Sequence, residues 1–146
     1  MGKLISVVMS VYNEKIEWIK DSVKSILGQS YTNIEFIIVI DNPGLDREVK
    51  EYLENTAKTD GRVVLLQNKE NVGLAKSLNR GIAAANGAYI ARMDADDISE
   101  KNRLDLQIQI MEKGKYDLVG TGKINIDEKG NLISGYSGCD VENKKI

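Results

Sequence analysis

The chain contains no histidine and only one cysteine, Cys139. A zinc centre needs several Cys or His ligands, and Ser-His or Cys-His nucleophile pairs need an imidazole. Neither can be assembled from this sequence, and a disulfide within the chain is excluded as well. No apolar run approaches the ~20 residues that span a bilayer. The N-terminus Met1-Gly2-Lys3-Leu4 leads straight into a strand-like segment, without the longer apolar region of a signal peptide. A cytoplasmic location is expected, with membrane association left to a longer protein. Basic charge is not in excess either: the formal net charge is −2 and the pI about 5.3, so no basic surface is offered to nucleic-acid phosphates. Chemistry here must run on carboxylates, hydroxyls, amides, Lys and Arg, with a hard cation as the fitting addition.

What is present reads as one soluble domain. The chain has 146 residues, 42% hydrophobic and 29% charged, enough for a single core. Leu4 to Val11 (LISVVMSV) and Ile34 to Ile40 (IEFIIVI) are apolar runs expected as strands buried on both faces. Arg62 to Gln67 and Ala88 to Met93 are two further strands. Between them lie helical periods: Glu14 to Gln29, a second helix with Val49, Leu53 and Ala57 on one face, and Gly73 to Asn86 through Leu74, Leu78 and Ile82. Gly87 is expected to stop the third helix, and Ser99 to cap a fourth that buries Leu104, Ile108 and Met111. Asp117 to Ile126 and Asn131 to Tyr136 flank a Glu128-Lys129-Gly130 turn, a hairpin pattern.

Strand and helix alternate four times, which predicts an α/β fold with a mostly parallel sheet and helices on both faces. Right-handed crossovers place every strand-to-helix loop along one edge, where ligands of such sheets bind. Tyr12-Asn13, Asp41-Asn42, Asn68 to Asn71 and Asp94 to Asp97 follow the four strands in turn. Scattered polar side chains are thereby expected on one rim.

The segment IARMDADD (Ile90 to Asp97) ends a strand in three carboxylates. Two like charges ~4 Å apart repel by about 4 kcal/mol at an effective dielectric of ~20. Extended backbone would set Asp94 and Asp96 on one face, about 6.5–7 Å apart. One divalent ion could bind one directly and the other through water, and all-oxygen ligation suits Mg²⁺ or Mn²⁺. Asp97 and Ser99 equally fit the start of the fourth helix. A phosphatase with an aspartyl nucleophile would also use Asp-x-Asp, but after its first strand and with a hydroxyl residue shortly downstream. Here the cluster follows the fourth strand and Ile98 comes next.

Several segments, in this order and spacing, resemble the nucleotide-binding half of the family 2 glycosyltransferases, whose Rossmann-like fold is called GT-A. They are ISVVMSVYNE (Ile5 to Glu14), SILGQSYTNIEFIIVID (Ser25 to Asp41), NVGLAKSLNRGI (Asn71 to Ile82), GAYIARMDADD (Gly87 to Asp97) and NRLDLQ (Asn102 to Gln107). The match covers about Ile5 to Leu132. The resemblance implies strands ordered 3-2-1-4 and hairpin-like strands near the C-terminus. It implies one nucleotide-diphospho-sugar-binding domain over 1–146, cut before the acceptor-binding segment, with the catalytic general base beyond Ile146.

By the same resemblance, Ser10 and Tyr12 meet the nucleotide base and Asp41 accepts a hydrogen bond from a uracil-type ring. Lys76 approaches the diphosphate. Asp94 lies toward the ribose and the metal shell, and Asp96 is the direct ligand of Mn²⁺ or Mg²⁺. Arg103 and Gln107 are expected to brace the loop. The chain departs from the family where Ser10 replaces a usual proline, and where Ile40-Asp41-Asn42-Pro43 replaces two aspartates and a nearby serine. The implied reaction is inverting transfer from a nucleoside-diphosphate sugar, UDP-linked, to a saccharide or lipid-linked saccharide acceptor in cell-surface or capsular polysaccharide synthesis. The metal offsets charge on the leaving diphosphate. The alternative reading is a nucleotide-sugar-binding fragment without transfer activity.

Overall fold

The computed structural model describes residues 2–114 and 116–137, and Cys139 lies outside them. The chain divides into two compact units, Met1–Asp105 and Leu106–Ile146. In the first, strands β1 (Ile5–Val11), β2 (Ile34–Ile40), β3 (Val63–Gln67) and β4 (Tyr89–Asp94) alternate with helices α1 (Ile16–Leu27), α2 (Arg47–Thr59) and α3 (Leu74–Ala84). All strand pairings in this sheet are parallel and the order is β3-β2-β1-β4, as the resemblance implied. Helix α4 (Arg103–Gly114) starts in the first unit and ends in the second, where β5 (Lys123–Ile126) and β6 (Leu132–Ser137) form an antiparallel pair.

The central strands β1 and β2 read as near-continuous apolar runs because both their faces are covered. On one face Val8, Ile37 and Val39 pack with Leu66 and with Leu78 of α3. On the other, Ser22 of α1 reaches Met9 Sδ at 3.5 Å. Met9, Phe36, Ile19 and Ile26 are fully buried. Burying a side chain of this size contributes about 1.5–3 kcal/mol.

Four local expectations are corrected. Leu74 and Ile82 are 52% and 46% exposed, and α3 buries Ser77 and Gly81 instead. Small residues let the helix lie close on the sheet: a Cβ on Gly81 would stand 2.4 Å from Val8 Cγ1. Gly87 does not end α3, whose C-cap is Ala85 in extended backbone. Gly87 passes over the start of β1, where a Cβ would stand 2.6 Å from the Ser6 nitrogen. Ser99 does not cap α4, which begins four residues later with the Leu104 N–H donating to Gln29 Oε1 at 3.1 Å. Pairing of β5 begins only at Lys123, and the Val119 carbonyl instead accepts a hydrogen bond from Gln107 Nε2 at 3.3 Å. Gln107 therefore braces this segment rather than the acidic loop.

Candidate functional site

The parallel register fixes which side chains meet at the carboxyl end of the sheet. Ser10 of β1 pairs with Asp94 of β4 on one side and with Val39 of β2 on the other. Beyond the last paired residues, the Asp41 N–H donates to the Val11 carbonyl at 2.8 Å, so Asp41 follows β2 beside Tyr12. Asn42 Nδ2 donates to the Tyr12 carbonyl at 2.9 Å, tying the two loops together. Glu14 Oε2 accepts the Tyr12 and Asn13 N–H groups at 2.8 and 3.1 Å and holds the turn after β1. The Tyr12 ring stays open, with the residue 48% exposed. Two strand spacings separate the ends of β2 and β4, about 10 Å.

Asp41 is only 2% exposed. Its Oδ1 accepts hydrogen bonds from Asn68 Nδ2 at 2.7 Å and the Val72 N–H at 2.9 Å, and its Oδ2 accepts the Gly73 N–H at 2.8 Å. Burial pushes this carboxyl up, but the Val72, Asn68, Ser77 and Gly73 interactions outweigh it and leave Asp41 below the ordinary carboxylate range. Asn68 also donates to Ser77 Oγ at 2.9 Å and accepts a hydrogen bond from Arg80. The network thus locks the end of β2 to the start of α3. Gly73 caps that helix with φ 86°, a left-handed conformation that favours glycine. Lys76 is exposed in the first turn, at the end of α3 where free N–H groups and the helix dipole favour anions.

Strand β4 ends at Asp94, and a turn follows in which the Asp97 N–H donates to the Asp94 carbonyl at 3.3 Å. Strand alternation therefore does not carry through to Asp96, contrary to the extended-backbone expectation. Ala95 is buried and anchors the turn while Asp96 projects into solvent, its side chain without a hydrogen bond or ion pair among the described residues. The buried Ser22 hydroxyl donates to the Asp94 carbonyl at 3.0 Å and fixes the strand end from below. Asp94 itself is half exposed and paired with Arg92 at 2.7 Å. Arg103 Nη1 donates to the Arg92 carbonyl at 3.2 Å, bracing β4. Burial pushes the Arg103 guanidinium down and the nearby Asp97 opposes the shift.

The first unit thus brings Ser10, Tyr12, Asp41 and Asp94 to one end of three adjacent strands, with Asp96 two residues further and Lys76 one turn beyond Gly73. Among the described residues no three Asp, Glu, Cys or His side chains converge as a ready metal cage. The donor set fits a hard cation nonetheless, since Mg²⁺-type ions take one or two protein carboxylates and complete their shell with phosphates and water. Gln29 and Arg92 were given no role from sequence, and Asn68 only a place on the rim. Arg92 did carry a signal, because residues two apart in a strand share a face. Gln29 acts through partners distant in sequence and carried none, and Asn68 carried only its position after β3.

Residues 6–141 match the family described as "Glycosyl transferase family 2". The chain is 37% identical over 144 residues to an uncharacterized glycosyltransferase of Methanocaldococcus jannaschii, covering 98% of this chain and 49% of that protein. Among solved structures, S. aureus TarS in complex with UDP-GlcNAc superposes with a TM-score of 0.68 at 22% identity, over 77% of this chain and 32% of that one. The mannosyltransferase PcManGT of Pyrobaculum calidifontis, in complex with GDP-Man and Mn²⁺, does so with a TM-score of 0.66 at 20% identity, over 82% and 34%. The chain therefore spans about half the length of the curated relative and a third of the solved structures. No helix among the described residues is long and apolar enough to cross a membrane. With its GT-A sheet, its rim and a family match over nearly its whole length, the chain belongs to glycosyl transferase family 2.

Proposed function

We propose that this chain is the donor-binding part of an inverting glycosyltransferase that uses a UDP-linked sugar with Mn²⁺ or Mg²⁺. The observation that carries the reading is the convergence of Tyr12, Asp41, Ser10 and Asp94 at one sheet end, fixed by the β2-β1-β4 register. The exposed Tyr12 ring offers a stacking face for the base. Asp41 Oδ2 accepts the Gly73 N–H, and a carboxylate oxygen can accept a further hydrogen bond, here from a ring N–H. Lys76 and the first turn of α3 attract the diphosphate. Asp96, exposed and unpartnered, is the direct metal ligand, and Asp94 holds the ribose side of the metal shell. When bound, the divalent ion offsets the charge that develops on the leaving diphosphate. A saccharide or lipid-linked acceptor in cell-surface or capsular polysaccharide synthesis attacks from the opposite face. Its general base is supplied from outside residues 1–146.

UDP with Mn²⁺ should raise the melting temperature, ligand at 100 times Kd being worth about 2.7 kcal/mol. Asp96→Asn should lose the metal-dependent part of the shift. Equal shifts in the variant and the parent would remove Asp96 from the metal site. The chain's 49% coverage of its relative favours a second reading, a nucleotide-sugar-binding module inactive in transfer. Sugar transfer by this chain at the rate of a longer version would overturn that second reading.

A further inference from the structure

One ion pair lies on the proposed donor rim itself. Arg92 Nη2 stands 2.7 Å from Asp94 Oδ1 and 3.0 Å from Oδ2, so one guanidinium nitrogen covers both carboxylate oxygens. The two side chains are 59% and 39% exposed, so the pair faces water and not the core. Exposed pairs of this kind are weak and exchange readily. The backbone beneath is fixed, because Arg103 Nη1 holds the Arg92 carbonyl and Ser22 Oγ holds the Asp94 carbonyl. The guanidinium can therefore move without disturbing the strand.

Resting on the metal reading above, we propose that Arg92 is a donor-site residue acting as an exchangeable counter-cation. It occupies Asp94 while the donor is absent and moves to the diphosphate when a divalent ion takes Asp94. The guanidinium lies against both Asp94 oxygens and the two cations repel one another, so an ion entering at Asp94 weakens the pair. Once released, a planar guanidinium beside a diphosphate finds the partner its fork fits best. Lys76, a compact point charge on α3, cannot substitute for that bidentate geometry.

Removing Arg92 matters only where a divalent ion competes for Asp94. UDP binding without metal should be unchanged, because the guanidinium stays on Asp94 until that ion displaces it. Mn²⁺ should gain unopposed access to Asp94, by about two- to five-fold, the usual size of an exposed ion pair. The ratio of UDP Kd in EDTA to UDP Kd in saturating Mn²⁺ should therefore be larger in Arg92→Ala than in the parent. Calorimetric titration of UDP, with GDP in parallel, into the parent, Arg92→Ala and Arg92→Lys measures that ratio, and uridine serves as the phosphate-free control. The proposal expects a raised ratio in Arg92→Ala, an intermediate one in Arg92→Lys, and uridine binding unchanged. An identical ratio in the parent and Arg92→Ala, or weaker uridine binding in the variant, overturns it while leaving the metal reading intact. Absence of any Mn²⁺ enhancement in the parent overturns the metal reading and this proposal together.

Discussion

Four groups crowd the carboxylate of Asp41: the Asn68 amide, the Val72 and Gly73 N–H groups and the Ser77 hydroxyl. An Asn at this position would turn an NH₂ toward at least one of them. Leaving a buried donor unsatisfied costs about 1–3 kcal/mol, and Asp41→Asn is expected to lose stability in that range. The pH dependence has a definite sign. Asp41 is held below its ordinary value, as is Glu35, where burial is outweighed by hydrogen bonds from Ser6, Asn86 and Gly87. Their stabilisation is fully present above the unfolded carboxylate range, about 3.9–4.3, and is lost as pH falls through the lower folded values. Urea unfolding followed from neutral pH into that acid range should show a shallower decline in Asp41→Asn than in the parent. Parallel declines would mean that the α3 loop does not hold Asp41 ionised.

At the scale of the elements, α3 is where packing overrules the hydrophobic pattern. Its apolar residues Leu74 and Ile82 stay exposed while Ser77 and Gly81 face the sheet. Close approach there, rather than apolar area, sets where Gly73 and Lys76 stand. Gly81→Ala gains about 1 kcal/mol of helix propensity. It also places a methyl within 2.4 Å of the β-branched Val8, an overpacking that costs about 1–3 kcal/mol. A lower melting temperature is expected, and an unchanged or higher one would mean that α3 is free to ride up on the sheet. Strands β1 and β2 were legible because buried parallel strands write continuous apolar runs, while the edge strands β3 and β4 are only partly buried and show shorter β-rich segments. The turn Asp41-Asn42-Pro43-Gly44 was legible from its residues, with Asn42 Oδ1 accepting the Gly44 N–H at 2.9 Å. The start of α4 was not, because its cap is Gln29, a side chain 75 positions away from Leu104. Likewise Gly87 resembles a helix stop in sequence but serves a close crossing over Ser6.

For the whole molecule, the parallel topology does most of the functional work. Because β1, β2 and β4 run the same way side by side, the residues after each strand share one end without any motif having to specify it. That is why Tyr12, Asp41 and Asp94 could be gathered from alternation of elements alone, with Ser10 added by the family resemblance. The geometry of Asp94 and Asp96 could not be, since the chain leaves extended backbone at Asp94 and turns through a buried Ala95. The acidic run is tolerable in the free protein because Arg92 covers Asp94, Arg103 lies near Asp97 and Asp96 is in water. The central claim is that these carboxylates share a divalent ion with a bound diphosphate. Crystals grown with UDP and Mn²⁺ and measured for anomalous scattering test it most directly. The account expects a manganese peak within bonding distance of an Asp96 oxygen, bridged to the UDP phosphates, with the base against Tyr12. Ordered UDP whose manganese lies away from both Asp94 and Asp96 would contradict it.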